Sequence, residues 1–549
     1  MKFACRSWCS LLFVVTSSAP VFAQQSGADG EEQEREAEMF GEEPAAERSE
    51  SGQPASETPE AERDATDREA EMFGEASVAP EATVERSRQH DEPLSRDEAV
   101  LGASMSPEDI LERLESADDT LEIGGLAFLR YSYFALDEGK AKEFSVSSPS
   151  FADVYLDARP SEQIRFFSLA RLRHDATLEE NKSNVALDQL WLKFNIELTA
   201  FFTVGRQRIK WGTGRFWNPT DFLNAEALDA LSVVVFDERL GVSLAKLHIP
   251  IESIGANVYA IASLDDGNTA EKIGGALRAE FILGDTEVSA TVAARRSNPL
   301  RMGLDASGAL GPFDLRAEAA VQYRLKSPFF RGQLDASPLR IDEFDLQGVS
   351  PEDIPDAVSE QLPDVLASRQ PERYFRNDEF IPQVMLGGEY GRNYTDDDAI
   401  YVGVEYFFND LGYANADLYP VLFAEGQFTP FYTGRHYAGA YVFLPAPGSW
   451  NNTNFTTSTL ANLSDRSAIS RLDYSRQVLT YLTLNTFVMG HWGESGEFNY
   501  SYEQGALLDP TLVQLIPTDQ LSNVPSELLQ DIKIVSPMLS VGIGLRAAF

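Results

Sequence analysis

Alternating apolar and polar residues are the dominant pattern of the chain from about residue 121 onward. The clearest example is the last segment, in which every second residue is apolar: Val535, Pro537, Leu539, Val541, Ile543, Leu545, Ala547 and Phe549. Serine, glycine and arginine occupy most of the positions between them. One apolar and one polar face on segments of about ten residues is typical of strands that lie between lipid and water. Soluble sandwiches alternate in the same way, so the pattern alone does not separate the two classes.

The number and spacing of these segments favour a closed barrel. We predict about eighteen strands, an even number as in single-chain outer-membrane barrels, near residues 121–136, 150–158, 163–174, 184–197, 200–211, 239–250, 254–263, 271–284, 286–296, 300–310, 313–325, 380–392, 398–408, 434–446, 451–464, 467–476, 479–492 and 535–549. The long connections all have odd numbers in chain order: 212–238, 326–379, 409–433 and 493–534. Long loops on one side and short turns on the other are typical of outer-membrane barrels. The prediction over residues 121–549 is therefore an all-β transmembrane antiparallel barrel of about 18 strands, with 14–18 compatible with the segment boundaries.

A long acidic region precedes the predicted barrel. Of the formal net charge of −41 over 549 residues, about −22 falls on residues 24–120. Residues 24–104 are rich in Glu, Ala and Ser and nearly free of aromatic residues, so we predict that they are disordered. The octapeptide REAEMFGE occurs there twice, at 35–42 and at 68–75. It is either a docking motif for a periplasmic partner or a duplication without function. The acidic excess argues against nucleic-acid binding, because phosphates require a basic surface.

The chain begins with a predicted signal peptide, residues 1–23. A basic start and an apolar stretch precede Val21-Phe22-Ala23, which is typical of a cleavage site. The two cysteines of the chain, Cys5 and Cys9, lie within this segment. We therefore predict a mature chain without disulfides, thiol catalysis or cysteine-bound metal. Residues 105–120 are predicted to form a short helix or connector between the acidic region and the barrel.

Two stretches of the sequence resemble those of a known family. The last strand, with apolar residues at alternate positions back from Phe549, resembles the signal read by the barrel assembly machinery of Gram-negative bacteria. The stretch VGRQRIKWGTGRFWNPTD, residues 204–221, resembles a motif of porin-like and alginate-export-like barrels, in which a Gly-Arg-Gln run leads through an aromatic–glycine turn into a loop. The resemblance implies an outer-membrane barrel that passes small or chain-like polar solutes. The acidic region and the long connection at 326–379 depart from the family's pattern.

Basic residues are concentrated on one wall of the predicted barrel. Residue parity assigns seven of them to the polar face of three successive strands: Arg165, Arg171, Arg173, Lys193, Arg206, Arg208 and Lys210. Arg215 follows in the next loop. A basic strip of this kind concentrates anions, and arginine holds a carboxylate or phosphate at two points. The alternative is that these side chains only hold the wall together, because acidic residues are predicted to face inward as well: Glu280, Glu287, Asp314, Glu318 and Asp473.

The loop that follows Lys210 combines aromatic rings with glycines. We take Trp211, Trp217, Asn218 and Asp221 as candidate residues of the solute path, where aromatic rings would line a constriction and stack on sugars. The alternative is that these aromatic residues form an interfacial girdle or pack a folded loop.

No catalytic or metal-binding motif stands out, and the five histidines have no metal-site spacing. We therefore predict no enzymatic activity and no cofactor. The leading hypothesis is an outer-membrane porin-like channel that passes small polar or anionic solutes through a basic-walled lumen. It is assembled by the barrel assembly machinery, with its N-terminal segment in the periplasm. The first alternative is a structural barrel that recruits a periplasmic component through residues 24–104. The second is a barrel enzyme that acts on lipid or polysaccharide.

Overall fold

A computed structural model of the chain describes residues 120–137, 142–178, 182–223, 241–264, 269, 272–296, 298–335, 337–350, 353–395, 398–504 and 532–549. The predicted signal peptide, the acidic region with both octapeptides and residues 105–119 of the connector lie outside the described residues.

Eighteen antiparallel strands form one closed sheet. They are β1 (Leu121–Asp137), β2 (Lys142–Ser147 and Pro149–Ser161), β3 (Ile164–Asp175), β4 (Ser183–Ile196), β5 (Ala200–Gln207), β6 (Val242–Ile251), β7 (Ala256–Ser263), β8 (Gly274–Leu283), β9 (Thr286–Ala294), β10 (Leu300–Leu310), β11 (Phe313–Tyr323), β12 (Phe380–Asn393), β13 (Ala399–Asn409), β14 (His436–Pro445), β15 (Thr453–Asn462), β16 (Ser467–Leu479), β17 (Leu482–Gly493) and β18 (Leu539–Ala548). The two segments of β2 both pair with β1 and form one strand interrupted at Ser148. Each predicted segment overlaps one of these strands, so the prediction of the fold is confirmed.

The sheet closes where the last strand meets the first. β18 pairs with β1 from Leu126 opposite Ala548 to Ala135 opposite Leu539. Beyond the paired region, the amide of the last residue, Phe549, donates to the carbonyl of residue 125 at 3.0 Å, and the amide of residue 125 donates back at 2.7 Å. Closure matters because backbone groups that face lipid have no water to bind, and a closed sheet leaves no unpaired edge.

The outer face of the barrel is apolar. On β18, Val541 and Ile543 are 40% and 52% exposed, whereas Ser540, which precedes them, is fully buried on the inward face. On β3, Leu172 is 45% exposed and the adjacent Arg171 is 1% exposed. Exposed apolar side chains at every second position, opposite polar ones that face the interior, are the surface of a barrel surrounded by lipid.

The connections differ between the two ends of the barrel, as the sequence predicts. One end has short turns, such as Gly284-Asp285 between β8 and β9, where Gly284 adopts the left-handed φ of 66° that favours glycine. A 3-10 turn at Glu252–Ile254 joins β6 to β7. The other end carries the long connections 208–241, 324–379, 410–435 and 494–538.

Short elements lie within these long connections. They are helices α1 (Ile354–Ser368) and α2 (Tyr419–Ala424) and a 3-10 turn at Ile341–Glu343. Two small two-stranded antiparallel sheets pair Phe329–Arg331 with Glu372–Tyr374 and Ser501–Gln504 with Ile532–Val535. Among the described residues, no helix is both long enough and apolar enough to cross a membrane.

Candidate functional site in the barrel lumen

The connection after β5 turns into the barrel. Residues 208–223, which we call the lumen loop, carry two tryptophans that are fully buried, Trp211 and Trp217. The ring of Trp217 stacks on Phe407 of β13 at 5.7 Å and lies 5.5 Å from the ring of Tyr437 of β14. Both partners are fully buried and belong to the inward face of the wall. The lumen loop therefore occupies the interior of the barrel and narrows it.

A carboxylate on β11 holds one half of this loop. Glu318 Oε1 accepts hydrogen bonds from the amides of Thr213 and Gly214 at 2.5 and 2.8 Å. Its Oε2 accepts from the amide and the hydroxyl of Thr220 at 3.1 and 2.7 Å. Since Glu318 is 1% exposed, each of these bonds replaces a bond to water that the buried carboxylate has lost.

A second carboxylate, on β13, holds the tip. Glu405 Oε1 accepts from the Arg215 amide at 2.5 Å, and its Oε2 accepts from the Phe216 amide at 2.8 Å. Glu318 and Glu405, which we call the anchor carboxylates, thus bind successive backbone amides of one loop, in the manner of anions bound by exposed peptide N–H groups.

Glycines on the inward face make room for the loop. A Cβ at Gly439 of β14 would lie 2.5 Å from Cδ2 of Phe216, and a Cβ at Gly303 of β10 would lie 2.9 Å from Cγ2 of Thr220. A side chain at either position would require Phe216 or Thr220 of the lumen loop to shift.

Trp211 packs on the other side of the barrel, in a buried apolar cluster that includes Leu244 and Tyr259. The guanidinium group of Arg278 lies 5.6 Å from the centre of its ring. Because Trp211 and Trp217 are buried, their rings pack the folded loop, as the alternative interpretation of the motif expects, and their faces are not open to a solute.

Three of the seven residues of the predicted basic strip are paired with aspartates. Arg171 and Asp153 form a two-point ion pair with both distances at 2.6 Å. Arg165 donates to Asp157 at 3.0 Å. A third pair joins Arg208 to the carboxylate of residue 188. The prediction missed all three aspartates, although Asp153 and Asp157 have the inward parity of β2.

Three of the predicted basic residues have other surroundings in the barrel. The ammonium group of Lys193 lies 5.9 Å from the centre of the Phe201 ring. Arg173 is half-buried near the end of β3, where it is opposite Phe151. Lys210 is half-buried in the lumen loop. Arg165 of β3 and Lys193 of β4 are directly opposite each other, whereas Arg208 and Lys210 lie beyond the end of β5.

The predicted parity is wrong for the end of β5. The strand ends before Arg208 and Lys210, which lie in the lumen loop. Arg206 is opposite Leu190 of β4 and Ser243 of β6. These residues alternate with the buried residues that face the lumen, so Arg206 does not belong to the inward-facing row. Its Nε donates to the backbone carbonyl of residue 188 at 3.2 Å.

Gly205 has an unusual backbone conformation within β5. Its φ is 129°, and a Cβ there would overlap the Leu190 carbonyl oxygen, so only glycine fits. The prediction from Arg206 to Lys210 fails because the inward row of β5 contains Thr203 and Gln207 and the strand ends at Gln207.

Arg215, at the tip of the lumen loop, has a side chain that is 47% exposed. Its guanidinium nitrogen lies 3.6 Å from Glu389 of β12, whose carboxylate accepts a hydrogen bond from the Tyr441 hydroxyl. Arg316 of β11 is close enough to Tyr441 to act on it electrostatically, as Arg215 does. Together they form a partly exposed charged group at the narrow part of the barrel, which we call the constriction group.

The sequence prediction contains only Arg215 of this group. Arg316 and Glu389 have inward parity on their strands, which is a signal that they face the lumen. The proximity of Arg316 and Glu389 to Arg215 depends on the fold of the lumen loop, and residue parity does not predict the fold of a loop.

Asn218 and Asp221 shape the loop. The Asp221 amide donates to the Asn218 carbonyl at 3.0 Å, which closes a turn. Both residues are half-buried. Among the described residues, no group of three or more His, Cys, Asp or Glu side chains is arranged to hold a metal ion.

No protein-family model matches the chain. No curated protein sequence matches it either. Among solved structures, the chain is similar to one described as "Asymmetric conductivity of engineered proteins" and to engineered variants of the Rhodopseudomonas blastica porin, one of them a triple mutant. The identity is 10%, and the matches cover 78% of this chain and 100% of each of those chains. The TM-scores are 0.35, 0.35 and 0.34.

Proposed function

We propose that the protein is a porin-like channel of the outer membrane, which lets small polar solutes pass through a lumen narrowed by the lumen loop. The single observation that carries this proposal is the loop itself. Two carboxylates, Glu318 and Glu405, hold this loop to the wall, and the loop leaves the charged side chain of Arg215 partly exposed.

The charges of the lumen support a preference for anions. The acidic groups in contact with the loop are engaged: Glu318 and Glu405 bind backbone amides, and Glu389 accepts a hydrogen bond from Tyr441 beside Arg215. Arg215 keeps much of its side chain exposed. Charge in a narrow, partly apolar passage selects ions by sign. We therefore assign selectivity to the constriction group and not to the basic strip that the sequence predicts.

The other hypotheses stay predictions. Recruitment of a periplasmic component by residues 24–104 concerns residues outside the described part of the chain. Periplasmic placement of the N-terminal segment concerns the same residues, and passage of chain-like polar solutes follows only from the resemblance of the sequence to that family. The proposed function assigns no catalysis to the barrel.

Reversal of the charge of Arg215 tests the selectivity. A unit charge at about 4 Å contributes about 1 kcal/mol in water, which corresponds to about fivefold in local ion concentration. We expect the purified protein in a planar bilayer under a potassium chloride gradient to prefer chloride. Arg215→Glu should lower the chloride-to-potassium permeability ratio by about fivefold or more.

The matched control is Arg331→Glu, which reverses an arginine that is 62% exposed in a small two-stranded sheet of the connection between β11 and β12. Its permeability ratio should equal that of the unmodified protein. A preference for potassium in the unmodified protein, or an equal effect of both substitutions, would contradict the assignment of selectivity to Arg215.

A further inference from the structure

A short segment that follows β17 covers the interior at the end of the barrel that carries the long loops. Residues 494–500, which we call the cap segment, are bound to the β15–β16 turn and the start of β16. The Glu497 amide donates to Asp465 Oδ2 at 2.8 Å, and the Phe498 amide donates to the Ser467 hydroxyl at 2.9 Å. A Cβ at Gly496 would overlap the carboxyl group of Asp465, so the approach is close.

Two buried carboxyl groups meet beneath this segment. Glu497 and Asp465 are each 6% exposed. Glu497 Oε2 and Asp465 Oδ2 each lie 2.8 Å from the same nitrogen, Asn462 Nδ2. The Tyr437 hydroxyl donates to Glu497 Oε2 at 2.5 Å. Glu497 Oε1 is buried and has no donor in hydrogen-bond geometry among the described residues.

These contacts fit a protonated Glu497 better than an ionised one. An ionised carboxylate in this position would carry a buried charge beside a second carboxyl group, with one oxygen lacking a well-aligned donor. The titratable groups that the structure describes against Glu497 are Asp465, Tyr437 and, one step further, Tyr419, whose hydroxyl donates to Asp465 Oδ2 at 2.9 Å. None of these three is a cation that would balance the charge. His491 of β17 contacts the cap segment at the backbone carbonyl of the next residue, 498.

The cap segment is connected to the lumen loop through Phe431. The rings of Phe498 and Phe431 lie 5.4 Å apart, and the Phe431 carbonyl accepts the Trp217 indole N–H at 3.0 Å. Tyr437, which binds Glu497, also lies against the ring of Trp217 at 5.5 Å. Departure of the cap segment would remove packing from the outer side of the lumen loop.

We propose that the cap segment is an acid-stabilised gate: it is docked while Glu497 is protonated, is released when Glu497 ionises, and on release loosens the lumen loop so that the channel conducts more. This inference rests on the proposed channel function for its effect on conductance. The release of the segment itself does not depend on that function.

The direction of the pH dependence follows from the burial of Glu497. Burial, together with the neighbouring Asp465, raises the pKa of Glu497 from its usual 4.5 to about 8, although the hydrogen bonds donated to the carboxyl oppose the rise. Burial also raises the pKa of Tyr419, so its hydroxyl stays protonated in this range. Because the docked segment holds the proton more tightly than the released one, docking is strongest below about pH 4.5 and weakens as the pH rises to about 8.

Two measurements on the full chain test the gate. A nitroxide attached to Glu494→Cys, in a chain with Cys5 and Cys9 replaced by serine, reports the mobility of the cap segment. We expect the fraction of labelled molecules with a mobile cap segment to rise about tenfold between pH 7 and pH 9. The ionised fraction of a group with a pKa near 8 rises by the same factor over this range. Single-channel conductance of the unlabelled protein should rise over the same range.

Variants of the carboxyl groups identify the responsible residue. Glu497→Gln keeps the shape and stays neutral, so its mobility and conductance should not change between pH 7 and pH 9. Glu494→Gln, the matched control, removes a carboxylate that is 65% exposed and should keep the full pH response of the conductance. If Glu497→Gln fails to fold, Asp465→Asn provides the second variant, and its transition should move to lower pH, because a neutral neighbour no longer raises the pKa of Glu497.

The outcomes separate the two proposals. A label that stays immobile from pH 7 to pH 9, or that becomes mobile equally in Glu497→Gln, overturns the gate. A label that becomes mobile as expected in a protein that conducts at no pH supports the release of the cap segment and contradicts the proposed channel function.

Discussion

Substitution of Glu318 by alanine is expected to release the lumen loop and raise the unitary conductance. Three backbone amides and one hydroxyl donate to this carboxylate. Removal of the acceptor leaves each of these four donors unsatisfied at about 1–3 kcal/mol, or about 4 kcal/mol and more in total. Movement of the loop away from the wall, where water can bind the amides, relieves this penalty. Conductance in planar bilayers is the measurement.

Two further variants make this test specific. Glu318→Gln keeps one acceptor oxygen and should have an intermediate effect. Asp314→Asn removes an inward carboxylate of the same strand that is exposed and lies outside the loop contacts, and it should leave the conductance unchanged. An unchanged conductance in Glu318→Ala would show that this carboxylate does not hold the loop in place.

Substitution of Arg278 by methionine is expected to cause the largest loss of stability in the wall. This arginine of β8 is 3% exposed and binds Glu280 at 2.6 Å and Asp305 at 2.7 and 2.9 Å. It also donates to Ser289 at 2.8 Å and to Thr291 at 3.1 Å. Its loss leaves two buried carboxylates without a cation, which costs about 3–5 kcal/mol.

Chemical unfolding of the protein in lipid vesicles measures this loss. The matched control is Arg331→Met, which breaks an ion pair with Glu372 in which both side chains are 62% exposed, and which should change the free energy of unfolding very little because water screens the pair. The triple variant Arg278→Met, Glu280→Gln, Asp305→Asn should regain much of the stability, because no buried charge is left unpaired. Equal losses for Arg278→Met and Arg331→Met would contradict the role assigned to Arg278.

The barrel itself could be predicted from the sequence because the alternation that specifies it is visible within each short segment. Lipid on one side and water on the other impose an alternation of period two, so residues such as Val541 and Ile543 reveal their orientation without reference to the rest of the chain. Turn residues such as Gly284 mark where the alternation stops.

The site could be predicted only in part because its contacts are remote in sequence. Thr213 and Glu318 are separated by 105 residues, and the tip of the lumen loop lies 190 residues from Glu405. Parity indicates that Glu318 faces inward, but it does not reveal which loop this carboxylate binds. The orientation of Arg206 is wrong in the prediction because the inward row of β5 contains Thr203 and Gln207, whereas Arg206 shares the row of the exposed Val204.

A passage beside the lumen loop of a lipid-embedded barrel is the feature on which the proposed function depends. Reconstitution of the purified full chain in a planar bilayer tests for this passage most directly, with far-UV circular dichroism of the same sample as a check that it is folded as β-structure. Discrete current steps of uniform size are expected as single molecules insert. A sample that is rich in β-structure and inserted in the membrane, yet produces no current steps, would contradict the presence of an open passage.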